Sequence, residues 1–242
     1  MKSTVAEIRR RFDGEVERFA NLETGQVATV DARLSLELIT EAAARLVPDA
    51  GNLLDVGCGA GNYTLMMLRR LPALNCALLD LSEPMLARAA ARVFQQTKKT
   101  AEMFQGDVRE VALRENHYDI ILAGAVLHHL RDDADWEGVF GKLYRLLRPG
   151  GCLMIADLVA QDHAALTEVS WRRYASYLEG LGGSEYCRKV LDYIAREDSP
   201  RSVTYQLELM KKVGFGSVEI LHKNLCFAAF GGVKSRRTEG GR

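Results

Sequence analysis

The sequence predicts an α/β fold with a mostly parallel sheet that is finished by an antiparallel hairpin. Short apolar runs alternate with amphipathic segments from residue 52 to residue 157, a pattern typical of strands joined by crossover helices. Glycines follow the first apolar run directly. Near the end of the chain two strand-like runs stand side by side without a helix between them, which indicates a hairpin. We therefore expect seven strands, five parallel and two in the hairpin, with helices on both faces of the sheet.

The predicted strands are short and apolar. They are 52–56, 76–80, 101–105, 118–124 and 152–157, then 217–222 and 225–233, the last two joined across Lys223-Asn224. The predicted helices repeat apolar residues at helical spacing and cover 34–47, 63–71, 83–96, 136–147 and 203–213. Pro149-Gly150-Gly151 is expected to turn the chain into the fifth strand.

Four regions differ in pattern along the chain. Residues 1–47 are predicted to form helices that cap the site, and 48–161 together with 201–233 form the sheet domain. Residues 162–200 fit neither rhythm and are predicted to be a helical insertion. Residues 234–242 have almost no apolar content and are predicted to be a disordered tail.

Composition narrows the range of partners and locations. Lys plus Arg number 32, as do Asp plus Glu, so the neutral chain lacks the charge excess of a nucleic-acid or anionic-membrane binder. The sequence also has no apolar stretch long enough to span a bilayer. Its first residues do not contain the apolar core of a signal peptide. The five cysteines are odd in number and form no C-x-x-C pair, which argues against disulfides and structural zinc. We expect a cytoplasmic protein without a membrane or nucleic-acid partner.

A glycine-rich loop follows the first predicted strand. The segment LLDVGCGAGNYT places Gly57, Gly59 and Gly61 between a strand and a helix, where glycine lets a ligand approach the backbone closely. Asp55 closes the strand two residues before the first glycine. A carboxylate there repels a pyrophosphate and favours a positively charged ligand. The alternative is a structural turn with a capping aspartate.

Acidic residues also end the next two predicted strands. Asp80 stands 19 residues after the last glycine of the loop, where a carboxylate can accept hydrogen bonds from ribose hydroxyls. Its alternative role is to cap the following helix, in which Met85 is placed to contact an adenine or to pack in the core. Gly106-Asp107-Val108 ends the third strand and offers an acceptor and a backbone donor for an adenine.

From about residue 52 to residue 157 the sequence resembles the class I, Rossmann-like, S-adenosylmethionine-dependent methyltransferases. The motifs DVGCGAG, LLDLS, GDV, YDIILAGAVLHHL and LLRPGGCLMIADL occur in the family's order and spacing, and the final hairpin is similar to its antiparallel seventh strand. The resemblance implies S-adenosylmethionine as cofactor and S-adenosylhomocysteine as product. The cofactor-binding residues that it implies are Asp55, Gly57, Cys58, Gly59, Gly61, Asp80, Leu81, Met85, Gly106, Asp107, Val108, Ala123 and Gly124.

A histidine pair follows the fourth predicted strand. Methyl transfer from a sulfonium is an in-line displacement, so the protein mainly aligns donor and acceptor. A hydroxyl or ammonium acceptor must also lose a proton, and His128 is our candidate general base, with His129 as a candidate acceptor contact. The alternative is a packed or solvated histidine pair. We do not expect a metal site here, because the sequence places no further ligand near the pair.

The insertion 162–200 carries aromatic residues at helical spacing, among them Trp171 and Tyr174. They are predicted either to form a lid that selects the acceptor or to bury a stripe of their own, for instance between two copies of the chain in a homodimer. Both interpretations stay open, since one stripe can serve both purposes.

A narrower resemblance covers the end of the chain. SVTYQLELMKKVGF and NLCFAAFGGVK are similar to the carboxy-S-adenosylmethionine synthases, which carboxylate the cofactor's methyl group and serve tRNA wobble-uridine modification. Such an enzyme needs a cation for the added carboxylate, and Arg33, Arg188 and Arg201 are candidates. The glycine loop departs from that family, which has a serine and a leucine between its outer glycines.

The sequence therefore predicts a methyltransferase that acts on a small-molecule acceptor. The carboxy-S-adenosylmethionine synthase is one alternative, and a non-catalytic cofactor-binding scaffold is another. Asp55 and the final hairpin argue against a hydride-transferring dehydrogenase. Ala123-Gly124-Ala125-Val126 occupies the place of the Asn-Pro-Pro-Tyr motif of base-amino methyltransferases, which argues against methylation of nucleic-acid bases.

Overall fold

Seven strands form one sheet in the centre of the molecule. The computed structural model describes residues 2–21 and 25–236. The strands are β1 (Asn52–Val56), β2 (Asn75–Asp80), β3 (Glu102–Gln105), β4 (Tyr118–Gly124), β5 (Leu147–Leu158), β6 (Phe215–Asn224) and β7 (Phe227–Lys234). Their order is β3-β2-β1-β4-β5-β7-β6, and β7 alone runs in the direction opposite to the other six strands. The predicted fold class is confirmed.

Helices precede the sheet and connect its strands. They are α1 (Val5–Asp13), α2 (Val16–Ala20), α3 (Ala32–Leu46), α4 (Asn62–Arg70), α5 (Glu83–Thr97), α6 (Asp133–Leu146), α7 (Ala164–Glu197) and α8 (Val203–Val213). A 3₁₀ turn covers Leu127–His129. Each predicted helix is present, with ends that differ by up to three residues.

Two predicted turns lie elsewhere in the structure. Leu147 already pairs with Tyr118, so Pro149-Gly150-Gly151 lies inside β5 as an irregularity, with Gly150 at a φ of +85°, rather than before the strand. In the hairpin, Lys223 and Asn224 still pair with β7, so the turn is Leu225-Cys226. Ladder hydrogen bonds extend both strands beyond the apolar runs that predicted them.

Apolar side chains cover both faces of the sheet. Trp136, Phe140 and Phe230 belong to one buried cluster, and Ile39 and Met67 to the other. All five cysteines are buried and free. Within residues 2–21 and 25–236, every helix is too short or too polar to span a bilayer.

The predicted insertion is one long helical run. α7 has 34 residues and bends at Gly183, whose φ of +78° interrupts the helical geometry. Its buried residues Tyr174, Leu178 and Ile194 form a third cluster with Phe227 of β7. Leu181, three residues after Leu178 on the same helix, is 42% exposed. The stripe therefore packs on the sheet domain of its own chain.

The first helix docks against the end of α7. The Ser3 amide donates to the Arg196 carbonyl at 3.0 Å, and Arg11 pairs with Glu197 at 2.9 Å. These contacts hold α1 over the carboxyl edge of the sheet, in the place of the predicted cap. Lys234, assigned to the tail by the sequence, closes β7, and the rest of the predicted tail from 237 onward lies outside the described residues, as do residues 1 and 22–24.

Candidate active site

A large cavity opens at the carboxyl ends of β1, β2 and β4, the usual ligand edge of such sheets. The helices α1 and α2 form its opposite wall through Ile8, Phe12 and Phe19. The predicted site residues that line this first cavity are Gly57, Cys58, Gly59, Asp80, Leu81, Met85, Gly106, Asp107, Val108, Gly124 and His129. The structure thus brings residues from four strand ends to one surface.

The glycine loop forms the floor of the cavity. The Gly57 and Cys58 amides donate to the Leu79 carbonyl at 2.8 and 3.0 Å, which ties the loop to β2. Gly57 has a φ of +64°, and a Cβ there would lie 2.4 Å from Cγ2 of Val126. At Gly59, with a φ of +49°, no heavy atom lies within 4 Å of the Cβ position. Gly57 is therefore needed for packing against Val126, whereas Gly59 leaves the cavity open.

Asp80 fastens the loop and faces the cavity. Its Oδ2 accepts from the Gly59 amide at 2.8 Å, and its Oδ1 accepts from the Ser82 amide at 2.9 Å. Burial raises the pKa of Asp80. The helix cap that was its alternative role belongs to Ser82, whose side chain accepts from the Met85 amide. Each carboxylate oxygen has a second lone pair that remains for a ligand.

Asp107 stands in an ion-pair network that the sequence did not reveal. Arg109 donates to its Oδ2 at 2.6 Å and to Oδ2 of Asp135 at 2.8 Å. Burial alone would raise the pKa of Asp107, but the hydrogen bonds from Arg109 hold it below its usual value. Arg109 also lines the first cavity, so a ligand meets a fixed carboxylate and guanidinium at this point.

Three predicted cofactor residues do not line the cavity. Asp55 is fully buried, and its Oδ2 accepts from the hydroxyl and the amide of Thr64 at 2.5 and 3.1 Å. Gly61 lies 3.1 Å, measured from its Cβ position, from the Cβ of Ala89, and Ala123 is in the core. Asp55 therefore anchors the start of α4, and the charged ligand contact predicted for it is not seen.

Asp55 makes stability depend on pH. Burial raises its pKa to about 7, far above the usual 3.8, so the folded chain keeps the proton that the unfolded chain loses. Stability from this group is complete below about pH 4 and is lost as the pH rises to about 7, above which both states are ionised. We expect Asp55→Asn to melt at a progressively higher temperature than the wild type as the pH rises from 4 to 7. Parallel melting curves at every pH would contradict this.

A second cavity adjoins the first. Phe12, Phe19, Tyr63, Ala125 and His129 line both cavities, so the two share a boundary. The second adds the aromatic residues Tyr174, Tyr193 and Phe227. An apolar and aromatic lining is typical of small-molecule sites.

Tyr63 stands where the two cavities meet. A Cβ at Gly124 would lie 2.4 Å from Cε2 of its ring, so the ring occupies the space that the glycine leaves. Gly124, one of the predicted cofactor-binding residues, thus also makes room for this side chain.

The histidine pair lies on the wall of the second cavity. His128 Nδ1 is bonded to the Asp157 carboxylate, and its Nε2 lies 3.7 Å from Oδ1 of Asp198. Burial alone would lower the pKa of His128, but the Asp157 and Asp198 charges raise it to about 9. Burial and the neighbouring His128 lower the pKa of His129.

Protonated His128 does not suit the predicted general-base role at neutral pH, because its free nitrogen already carries a proton. His129 has the lower pKa and lines both cavities, so it is the better placed of the two histidines. The two carboxylates that raise the pKa of His128 are Asp157, at the end of β5, and Asp198, the residue after α7.

The predicted acceptor contacts are only partly brought together. Tyr174 lines the second cavity and donates to the Ala28 carbonyl at 2.9 Å, while Trp171 packs against Tyr174 outside it. The predicted arginines point to solvent: Arg33 pairs with Glu37, Arg201 pairs with Asp133, and Arg188 is exposed. They lie outside both cavities, which corrects their assignment as substrate contacts.

Sequence reasoning missed several residues of the site. Asp157 ends the predicted fifth strand, so the rule that ligands gather at strand ends would have found it. Tyr63 follows the glycine loop directly. Asp198 and the aromatic residues of α1 and α2 carry no local signal.

Comparison with known proteins places this geometry in a class. Residues 53–151 match the family model of the methyltransferase domain. The chain is 27% identical over 176 residues to a demethylmenaquinone methyltransferase of Lactococcus lactis, covering 69% of this chain and 67% of that protein. It is 26% identical over 199 residues to a carboxy-S-adenosyl-L-methionine synthase of Vibrio atlanticus, covering 79% of this chain and 80% of that one.

Solved structures share the fold. A Burkholderia thailandensis 1,6-didemethyltoxoflavin-N1-methyltransferase with bound S-adenosylhomocysteine has a TM-score of 0.64 at 16% identity, covering 97% of this chain and 92% of that one. Human N-acetylserotonin methyltransferase in complex with the cofactor also has a TM-score of 0.64 at 16% identity, covering 96% of this chain. The chain spans 59% of the length of that human protein and 62% of a B. thailandensis O-methyltransferase family protein.

The sheet order, the cavity at its carboxyl edge and the matching domain define a class I methyltransferase fold. Residues 53–151 match a methyltransferase domain, and this match supports the predicted enzyme class and S-adenosylmethionine as its cofactor.

Proposed function

We propose that this enzyme methylates a small, largely apolar acceptor that is bound in the second cavity. The observation that carries the proposal is the shared wall of the two cavities, formed by Phe12, Phe19, Tyr63, Ala125 and His129. A cofactor in the first cavity and an acceptor in the second would meet at this boundary.

The residues of the first cavity fit S-adenosylmethionine. Gly59 leaves open space at its Cα, Asp80 offers lone pairs to hydroxyls, and Asp107 supplies a charged acceptor. When bound, the cofactor supplies an electrophilic methyl group for in-line displacement. We assign the ribose to Asp80 and Leu81, the adenine to Met85, Asp107 and Val108, and the methionine part to the glycine loop.

The chain's own contribution is alignment and exclusion of water. Phe12 and Phe19 cover the junction from the side of α1 and α2, and Tyr63 packs beneath it. Holding two reactants in line is worth about 7–11 kcal/mol of the barrier. Contacts of this kind orient an acceptor without chemical participation by a side chain.

The synthase alternative needs a cation for the added carboxylate. Each arginine that lines a cavity already has a partner: Arg11 binds Glu197, Arg18 binds Glu15, and Arg109 binds Asp107. Arg131 donates to the Glu197 and Ser3 carbonyls. These pairings favour methyl transfer over the synthase reaction.

Mass spectrometry of the nucleoside released from freshly purified, denatured protein separates these functions. We expect S-adenosylmethionine or S-adenosylhomocysteine. A mass greater by one carboxylate would overturn the proposal in favour of the synthase, and no nucleoside, even after cofactor is added back, would favour the scaffold.

A cavity-filling variant tests the acceptor site. A panel of small phenols, quinols and anilines with labelled cofactor would first give a turnover assay. Val190, half-buried on α7, lines the second cavity only, so we expect Val190→Trp to reduce turnover and leave S-adenosylhomocysteine affinity unchanged. Its neighbour Lys189 is exposed, and Lys189→Trp is the matched control. Equal turnover of the two variants would contradict the assignment.

A further inference from the structure

Two histidines and a carboxylate meet at one point on the wall of the second cavity. His128, His129 and Asp198 each offer a ligand atom, and the three atoms lie within 4.8 Å of one another. Oδ1 of Asp198 is 3.7 Å from Nε2 of His128 and 3.2 Å from Nδ1 of His129. The three side chains are at most 15% exposed.

Polar atoms at this point lack partners. Both ring nitrogens of His129 and Oδ1 of Asp198 are buried, and none has a hydrogen bond to any residue in 2–21 or 25–236. His129 Nδ1 and Oδ1 of Asp198 lie 3.2 Å apart, an ion-pair distance within the cluster itself. Buried polar atoms without partners cost about 1–3 kcal/mol each, which indicates a bound group that completes the set.

The separations suit a metal ion. Nitrogen and oxygen ligands at about 2.0–2.2 Å from a tetrahedral ion are themselves about 3.3–3.6 Å apart. The two measured separations, 3.2 and 3.7 Å, agree with that edge length to within about 0.1 Å. Asp157 holds Nδ1 of His128, so that Nε2 faces the ion, as carboxylates do behind metal-binding histidines.

The backbone around the ligands is already fixed. The Ser199 amide donates to the His128 carbonyl at 2.7 Å, which joins the segment after α7 to the 3₁₀ turn. Lys2 donates to the Asp198 carbonyl, and Arg131 to that of Glu197. An ion would therefore enter a site whose ligands need little rearrangement, and on binding it would displace the proton from Nε2 of His128 to solvent.

We propose that His128, His129 and Asp198 bind one divalent transition-metal ion such as Zn²⁺, with an open position towards the second cavity. Two imidazoles and a carboxylate are a donor set suited to Zn²⁺ or Fe²⁺ rather than to Mg²⁺ or Ca²⁺. The absence of a predicted metal site is thereby revised, because the third ligand comes from a residue that the sequence did not place nearby.

The proposed ion indicates the chemical class of the acceptor. This inference rests on the proposed function. Its open position would take an acceptor hydroxyl and lower the pKa of that hydroxyl, so the proton leaves to solvent and the oxygen becomes the nucleophile. The methyl carbon–sulfur bond then breaks as the carbon–oxygen bond forms. A phenol or enol is thus favoured over an amine.

Cobalt titration of untagged, chelator-treated protein tests the site without cofactor or acceptor. We expect saturable binding of one Co²⁺ per chain, with the visible absorption of a low-coordinate nitrogen and oxygen site, and competition by Zn²⁺. His129→Ala and Asp198→Asn should each weaken binding at least about tenfold, and Asp157→Asn about 10–100-fold. His163→Asn, at an exposed histidine that begins α7, is the control and should bind as the wild type does.

Absence of saturable binding, or equal affinity in His129→Ala and the wild type, would overturn the metal site. If Asp198→Asn does not fold, His129→Ala and the wild-type spectrum still decide. Metal binding with turnover that resists the chelator would overturn the activating role and leave the methyl-transfer proposal intact. Conversely, metal binding in a chain that transfers no methyl group would leave the site standing and overturn the proposed function.

Discussion

Replacing Asp80 by alanine is expected to weaken cofactor binding at least about tenfold. The carboxylate offers charge-assisted hydrogen bonds, worth about 1.5–3 kcal/mol, to ribose hydroxyls. It also fixes the glycine loop through the Gly59 amide at 2.8 Å. Calorimetric titration with S-adenosylhomocysteine measures the change directly.

The control for Asp80→Ala is Asp49→Ala. Asp49 is exposed in the turn before β1, at the opposite end of the strands from the cavity, so its removal should leave the affinity unchanged. The melting temperature of each variant, taken without ligand, shows whether the fold is intact. Unchanged affinity of a folded Asp80→Ala would remove Asp80 from the cofactor site.

Gly57→Ala is expected to destabilise the fold as well as the site. A residue with a side chain costs about 1–2 kcal/mol in the left-handed region, where Gly57 has a φ of +64°. The new methyl group would also lie 2.4 Å from Cγ2 of Val126, and overpacking of this kind adds about 1–3 kcal/mol. Chemical denaturation measures the sum as a lower free energy of unfolding.

Two further variants separate these causes. Adding Val126→Gly, which also removes the Cβ that would lie 2.6 Å away, should relieve the steric part and leave the backbone part, when measured against Val126→Gly alone. Gly138→Ala, at an exposed helical glycine of α6 with no atom within 4 Å of its Cβ position, should instead raise the free energy of unfolding by about 0.5–1 kcal/mol. If Gly57→Ala were as stable as Gly138→Ala, the tight turn described here would be wrong.

The cofactor half of the site follows largely from local sequence. Glycines with positive φ, such as Gly57 and Gly59, are needed wherever a strand turns sharply into a helix beneath a ligand. Asp80 ends β2 and Asp107 follows the end of β3, and parallel strands bring their carboxyl ends to one edge. Spacing alone therefore predicted that these residues line the first cavity.

Even for the cofactor half of the site, the sequence did not predict the direction in which each side chain points. Asp55 and Ala123 also end strands at the same edge, yet both are fully buried. Thr64 of α4 donates two hydrogen bonds to Asp55, because the helix packs over the end of the strand. The exposed arginines show the same limit, since residue type indicates a charge but not the surface to which it points.

By itself, the sequence determined the sheet, the glycine loop and the cofactor, because each depends on residues close together in the chain. Only the tertiary structure decided the second cavity and the cluster of His128, His129 and Asp198. Their walls and ligands come from α1, the 3₁₀ turn, β5 and the end of α7. Contacts between such distant segments are set by packing and by paired charges such as Arg11 and Glu197, and no spacing rule encodes them.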